Sequence, residues 1–220
     1  MNKEVNFLGR WQNLELSFYA DDFVTGKYDF PIILPTYEVP KVDRFIEFDY
    51  CKRIREGHKN LGVHFFEDDY KFERVWTCPD RYGEMLSKFG FIFGPDFSTY
   101  IDFPKAVRIY NHYRNNWLCR YWQETFDITV IPTVLFGLED SYDYCFDGLP
   151  KNSILAISNV GDAQGKENKK NFHKGYEEML KRLNPSKIFF FTRNFETVPG
   201  NVEYIRWEIH KGDQLDGEIE

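Results

Sequence analysis

The residues that could do chemistry recur in one setting: the end of a short apolar run, just before a helical stretch begins. Glu67-Asp68-Asp69 follows Leu61–Phe66, and Asp96-Phe97-Ser98 follows Phe89–Gly94. Thr133 lies near the end of Ile128–Leu135, Ser158-Asn159 ends the run from Ser153, and Thr192-Arg193 ends the run from Lys187. Runs of this length bounded by Gly and Pro read as buried strands. In a parallel sheet such strand ends share one rim, where α/β folds place their ligands. A rim bearing carboxylates, hydroxyls, an amide and a guanidinium suits acid–base chemistry or a divalent cation. Two carboxyls held close together split their pKa values, giving one acid and one base.

These residues therefore receive roles. Asp96 is the candidate nucleophile or general base, and Asp68 or Asp69 is its partner carboxylate. Ser98, Thr133 and Asn159 are assigned to orient a substrate. Arg114 or Arg193 is assigned to a phosphate, which suits a planar guanidinium fork. The spacing specifies no metal set, so the cofactor stays open, with a divalent cation as one candidate. Each assignment has a plainer competitor. Asp and Ser after a strand also serve as helix N-caps; Asp68, Asp69 and Asn159 also suit turns; Arg193 also suits a solvated surface.

The elements that must position these residues follow from periodicity. Phe30–Pro35 reads as a short buried run and Arg44–Phe48 as either an edge strand or a short connection, with Tyr50–His58 a polar stretch compatible with a helix. Tyr70–Trp76 reads as one or two helical turns, and Pro79 restarts a helix whose Tyr82, Met85, Leu86 and Phe89 share a face. After Pro104, suited to a helix start, comes the longest helix. Its predicted core stripe is Ala106, Tyr110, Tyr113, Trp117 and Tyr121, with Arg108, Asn111, Asn115 and Arg120 facing elsewhere. Pro132 cannot donate to a ladder, so pairing should stop there. Glu139–Phe146 reads as a short helix and Ala163–Lys170 as a charged loop. Phe172, Tyr176, Met179, Leu180 and Leu183 give an amphipathic helix, and Val202–Trp207 is the last strand.

Repeated β-α units with near-continuous apolar strands predict an α/β fold with a mainly parallel sheet. An irregular or incomplete (β/α) barrel-like form is favoured, because every strand end is polar and no G-x-G-x-x-G follows a strand. The alternative is an open doubly wound sheet. The 220 residues suffice for a single domain over 1–220, with an N-terminal arm over about 1–27 and a polar tail over about 211–220. With 22 Phe and 14 Tyr, the core should be largely aromatic.

A net charge of −7 argues against non-specific binding to DNA or a membrane surface, since both favour a basic partner. The four cysteines lack C-x-x-C spacing and read as reduced, mostly buried thiols of a cytosolic protein. No signal peptide is read at the start, and no apolar run approaches membrane-spanning length. Several sharper motifs are missing. The five histidines are dispersed, with no H-E-x-x-H, and His64 reads as a core histidine. Tyr110 and Tyr113 read as core, and Asp69-Tyr-Lys71 is too short a match to a metal nuclease. There is no P-loop and no G-x-S-x-G.

Val63-His-Phe-Phe-Glu-Asp-Asp-Tyr-Lys-Phe-Glu-Arg-Val-Trp76, Gly94-Pro-Asp-Phe-Ser-Thr-Tyr100 and Tyr113-Arg-Asn-Asn-Trp117 together resemble an uncharacterised family of phage and mobile-element proteins. Tyr121-Trp-Gln123, Val130-Ile-Pro-Thr-Val134, Phe146-Asp-Gly-Leu-Pro-Lys-Asn-Ser153, Ile157-Ser-Asn-Val-Gly161 and Gly175–Pro185 extend the resemblance over about residues 30 to 195. It is the domain-of-unknown-function family numbered 4417. The family commonly carries Thr in place of Asn159 and Ser-Trp in place of Leu135-Phe136. The resemblance implies a phage or mobile-element protein in the cytoplasm of a bacterial host. By fold-level analogy alone, Asp96-Phe97-Ser98 is similar to the acidic turn of tRNA-guanine transglycosylases, whose Gly-Gly and zinc cysteines are missing here.

Three functional readings follow. The first is an enzyme acting on a nucleotide or nucleic-acid component, of hydrolase or glycosylase/transglycosylase-like type. The second is a non-enzymatic anti-defence factor that binds a host defence protein through its acidic surface and N-terminal arm. The third, least favoured by the charge, is a replication-associated DNA-binding factor.

Overall fold

A computed structural model describes residues 23–51, 53–54, 58–160, 166–193 and 197–207, with Lys166 described by its backbone alone. Most of the predicted N-terminal arm and all of the predicted C-terminal tail lie outside these residues.

Seven strands are described: β1 (Arg44–Glu47), β2 (Leu61–His64), β3 (Phe91–Phe93), β4 (Val130–Ile131), β5 (Ile154–Ser158), β6 (Lys187–Thr192) and β7 (Val202–Arg206). The helices are α1 (Phe48–Cys51), α2 (Asp69–Phe72), α3 (Arg74–Thr77), α4 (Pro79–Leu86), α5 (Lys105–Phe126) and α6 (Lys166–Leu183). All the strand pairings are parallel, in two sheets ordered β1-β2-β3-β4 and β5-β6-β7. A parallel bridge, Thr133 to Ala156, joins them, so the strands follow chain order throughout.

The side chains divide by strand alternation. Ile46, Val63, Ile92 and Val130 point outward with Trp76, Leu86, Trp117 and Trp122 of α3, α4 and α5. Leu155, Ile157, Ile188 and Phe190 point outward against Tyr176, Met179 and Leu183 of α6. Phe91, Phe93, Ile131, Ala156, Phe189 and Phe191 face the opposite way and pack on one another with Phe45, Ile205 and Trp207. Among the described residues no helix contributes to that inner cluster, so the described helices cover one side of a sheet that curls round an aromatic filling. Phe45 of β1 meets Phe189 and Phe191 of β6 across it, with ring centroids 6.1 and 5.9 Å apart. The α/β fold with parallel strands is as expected, in the incomplete, barrel-like form. Among the described residues the barrel does not close: β1 and β7 are edges.

Its second discontinuity lies between β4 and β5. Pro132 has no N–H, and its carbonyl accepts from Ala156 N–H at 2.9 Å. At the other end of these strands Thr36 sits between them. Its N–H donates to Ser153 Oγ (2.8 Å), its Oγ1 donates to the Val130 carbonyl (2.7 Å), and its carbonyl accepts from Ile154 N–H (2.8 Å).

Four expectations need correction. Phe30–Pro35 is not a wholly buried run: Ile32 and Leu34 are exposed while Phe30 and Ile33 are buried, because the segment lies extended along the surface. Residues 166–170 belong to α6 and not to a loop; Lys and Glu are good helix formers, and the apolar face begins only later. Glu139–Phe146 is a single 3-10 turn, Glu139–Ser141, followed by turns. The fourth concerns α5, where Ala106 and Tyr110 are exposed, while Arg108, Asn111, Arg114 and Asn115 are buried. The helix is enclosed on two sides, by tryptophans on one and by a polar strand-end loop on the other.

Candidate active site

The strand-end loop after β3 is held by that polar side of α5. Phe97 N–H donates to Asn115 Oδ1 (3.1 Å), and Asn111 Nδ2 donates to the Ser98 carbonyl (2.6 Å). Arg114 lies over the Phe97 ring at 3.7 Å, donates to Asn111 Oδ1 (2.8 Å) and pairs with Glu73 (2.7 Å). The loop therefore has side-chain partners for its backbone, where a free loop would leave them to water. Asn111, Arg114 and Asn115 stand at i, i+3 and i+4, one face of a helix.

The loop after β2 meets it. Asp69, first residue of α2, accepts from Ser98 N–H (3.1 Å) and from Ser98 Oγ (2.8 Å). Glu67 is turned inward with its side chain 3% exposed. Its Oε1 accepts from Asp49 N–H (2.9 Å), and Lys71 Nζ stands 3.7 Å from its Oε2. Burial pushes its carboxyl up to about 7, with Asp49 and Glu47 adding to the rise and the Asp49 N–H and Lys71 opposing it.

Asp96 completes the group. It is half-buried, yet its Oδ1 is sealed from solvent and has no hydrogen-bond partner among the described residues. Burial, then the charges of Asp69 and Glu67, hold its carboxyl well above the usual carboxylate range. Neither Asp96 nor Ser98 caps α5, which begins at Lys105 after Pro104. Ends of β1, β2 and β3 thus supply carboxyls in sequence: Glu47 and Asp49, Glu67 and Asp69, Asp96. Among the described residues no three His, Cys, Asp or Glu converge as a metal-ligand set.

The structure brings Asp69, Ser98 and Asp96 together, with Arg114 buried beneath and committed to Glu73 and Asn111. Thr133 is buried below the same loop, its hydroxyl donating to the Gly94 carbonyl (2.7 Å). Asp68 precedes α2, exposed, and its side chain makes no capping bond. Asn159 and Arg193 lie on the other sheet. Asn159 N–H reaches the Phe191 carbonyl (3.3 Å), and exposed Arg193 stands 4.1 Å over the Trp207 ring. His64 is buried and packs against Phe66 and Phe191, as a core histidine would. Tyr110 is 44% exposed, contrary to its expected place in the core, because the buried side of α5 is set by Trp117 and Trp122.

Sequence reasoning missed Glu67, Asn111 and Asn115 as site residues. Glu67 was legible only as one of three successive acids, with nothing to say which turned inward. The two asparagines had a signal in their helical spacing with Arg114. It is masked because a polar stripe on a long helix ordinarily faces water.

A parallel α/β barrel-like protein whose strand-end rim carries buried carboxyls is the class that fold and site define. Residues 23–208 match the family model described as "Domain of unknown function (DUF4417)", and the chain belongs to that family. It is 35% identical over 181 residues to "Gene 1 protein" of Mycobacterium phage L5, covering 81% of this chain and 76% of that one. It is 34% identical over 183 residues to "Gene 1 protein" of Mycobacterium phage D29, covering 82% of this chain and 65% of the relative. No solved structure matches it. The family is thus phage-associated, and among the described residues no helix is long and apolar enough to cross a membrane.

Proposed function

We propose that the chain is an enzyme that cleaves a glycosidic-type bond in a nucleotide or nucleic-acid component, acting in the cytoplasm of a bacterial host. The observation that carries this reading is the Asp96 carboxyl beside Asp69, sealed on one oxygen with no partner there among the described residues, and pushed by burial well above the usual carboxylate range. Protonated and ionised carboxyls side by side are the pair that such chemistry uses. Asp96 donates its proton to the leaving nitrogen as the bond to the anomeric carbon breaks. Water adds to that carbon and gives its proton to Asp69, whose charge also stabilises the cationic transition state. Ser98 holds Asp69 in place, and Asn159 and Arg193 meet the substrate from the far side of the rim. The acidic reacting centre disfavours attack at a phosphate, which carries negative charge of its own.

The test is base release from nucleosides, nucleotides and oligonucleotides by the purified chain. Asp96→Asn should lower the rate at least 100-fold and leave Tm unchanged or raised. Full activity in that variant would overturn the assignment.

A second reading has one observation behind it. Tyr70, Tyr100, Ile101 and Leu138 are exposed on segments that follow strands, which gives the rim an apolar border. This border would suit a host defence protein as partner. Co-purification lost on Tyr100→Ser with Ile101→Ser, with base release unaffected, would favour that reading over the enzymatic one.

A further inference from the structure

The register of the first sheet continues past its strand ends. β2 and β3 pair Gly62 with Phe91 and Val63 with Ile92. Asp69 and Ser98 keep the same offset of 29 positions, and their hydrogen bonds show that the two segments still run side by side there. That offset also sets Glu67 across from Asp96. Paired positions of neighbouring strands carry their side chains on one face. Glu67 Oε2 and Asp96 Oδ1 are each sealed from solvent, with no hydrogen-bond partner among the described residues. Lys71 Nζ, 3.7 Å from Oε2, stands beyond hydrogen-bond reach. Glu67 faces Glu47 of β1, Asp49 of α1 and Lys71 of α2, while Asp96 faces Asp69 and Glu67. Burial, then Asp69, then Glu67 strengthen the hold of Asp96 on its proton.

The two acidic neighbours of Asp96 differ in what base release does to them. Asp69 takes the proton of the attacking water, so it loses its charge in each turnover. Glu67 is turned inward onto Asp49 N–H, beside Lys71, and meets no reacting atom, so its charge persists. Once the base has left, Asp96 is ionised and Asp69 is protonated. Two ionised carboxyls side by side repel each other. The Glu67 charge therefore favours passing the proton of Asp69 back to Asp96. That transfer restores the starting pair, with one proton given to the base and one received from water.

We propose that Glu67 is a positioning residue of the rim: its carboxylate, set across the β2–β3 register, keeps the proton on Asp96 and brings it back there after each turnover. The return of the proton rests on the acid–base reading above; the charge coupling between Glu67 and Asp96 does not.

Carbon-13 NMR of the full chain, labelled at its Asp side-chain carboxyl carbons, reads the coupling without substrate. The Asp96 signal is the one that Asp96→Asn removes. Glu67→Gln keeps the acceptor for Asp49 N–H and deletes the charge. It should lower the Asp96 titration midpoint by at least about half a pH unit. Glu67→Asp, which keeps the charge, should leave the midpoint nearer its wild-type position than Gln does. An unmoved midpoint in Glu67→Gln overturns the proposal. The alkaline limb of kcat/KM for base release should move down together with the Asp96 midpoint. A purely structural role for Glu67 would lower the rate and leave that limb in place. Coupling by NMR in a chain that releases no base would overturn the reaction and the return of the proton with it, and leave the coupling standing. Base release whose alkaline limb ignores Glu67→Gln would keep the reaction and overturn the part given to Glu67.

Discussion

The two sheets hold their strand ends in different ways. After β2 and β3, the loops are fastened by side chains: Asn111 and Asn115 grip the backbone of Phe97 and Ser98, and Ser98 grips Asp69. After β5 the described contacts are Asn159 N–H to the Phe191 carbonyl and Val160 N–H to Ser158 Oγ, and after β7 Trp207 gives its backbone N–H to Thr192 and its Nε1–H to Phe66. The first sheet commits a buried arginine and two buried asparagines to one loop, and among the described residues the ends of β5 and β6 show no comparable buried set. Buried polar groups are retained where their geometry is specified, because each one left unmet costs stability. The difference marks the first sheet's loop as the pre-organised part of the site and the described ends of the second sheet as its border.

Substitutions that separate the two sheets should show it. The largest effect is expected at Arg114→Ala, which removes the stack on Phe97 and strands the buried Asn111 Oδ1. A loss of about 3 kcal/mol is expected, read as a fall in Tm of roughly 6 to 12 °C. A loss below about 1 kcal/mol would mean that the loop is held without α5, and the comparison would break.

Glu67→Gln should act in the opposite direction. A folded-state value of about 7 lies above the ordinary 4.5 of a Glu carboxyl, so the folded chain binds more protons than the unfolded one between those values. Stability from this group therefore falls as pH rises from 4.5 to 7 and stays low above. Gln keeps the acceptor for Asp49 N–H and carries no charge. The variant should be more stable than wild type by roughly 3 kcal/mol at about pH 8, since each tenfold change in proton affinity is worth ~1.4 kcal/mol and the folded value already includes the opposing charge of Lys71. That gain should vanish below about pH 4.5. Urea unfolding at about pH 4, 6 and 8 would reveal it, and a pH-independent difference would refute it.

The smallest effects belong to the second sheet. Asn159→Ala and Arg193→Ala should each change stability by less than about 0.5 kcal/mol, as exposed or half-exposed positions do. If either costs as much as Arg114→Ala, the border is as rigid as the loop opposite. A rise in KM with kcat unchanged would identify these two as binding groups on that border.

Much of this was legible in the chain because strand ends announce themselves. Apolar runs closed by Gly or Pro marked the strands, and Pro132 marked the place where β4 stops. Asp69, Asp96 and Ser98 could be singled out by position alone. What was hidden depends on distant partners. Whether Asn111 faces water or a loop depends on Ser98, thirteen positions earlier. The inward turn of Glu67 depends on Asp49 N–H. The open side between β1 and β7 has no local signal either, since whether two edge strands pair is a property of the whole sheet.

The position of Thr36 bears on how the chain is made. Its bonds to Ser153 and Ile154 span about 117 residues of sequence, and Lys27 and Tyr28 reach Asp143 and Asp147 across a comparable distance. Contacts so remote in sequence slow folding, because the intervening loop must close before they form. On the ribosome, the segment around Thr36 emerges early and stays without its partners until β5 has been synthesised. A nascent chain arrested short of Ile154 would therefore lack the clasp that joins its two ends. Acquisition of protease resistance during synthesis should come late and in one step.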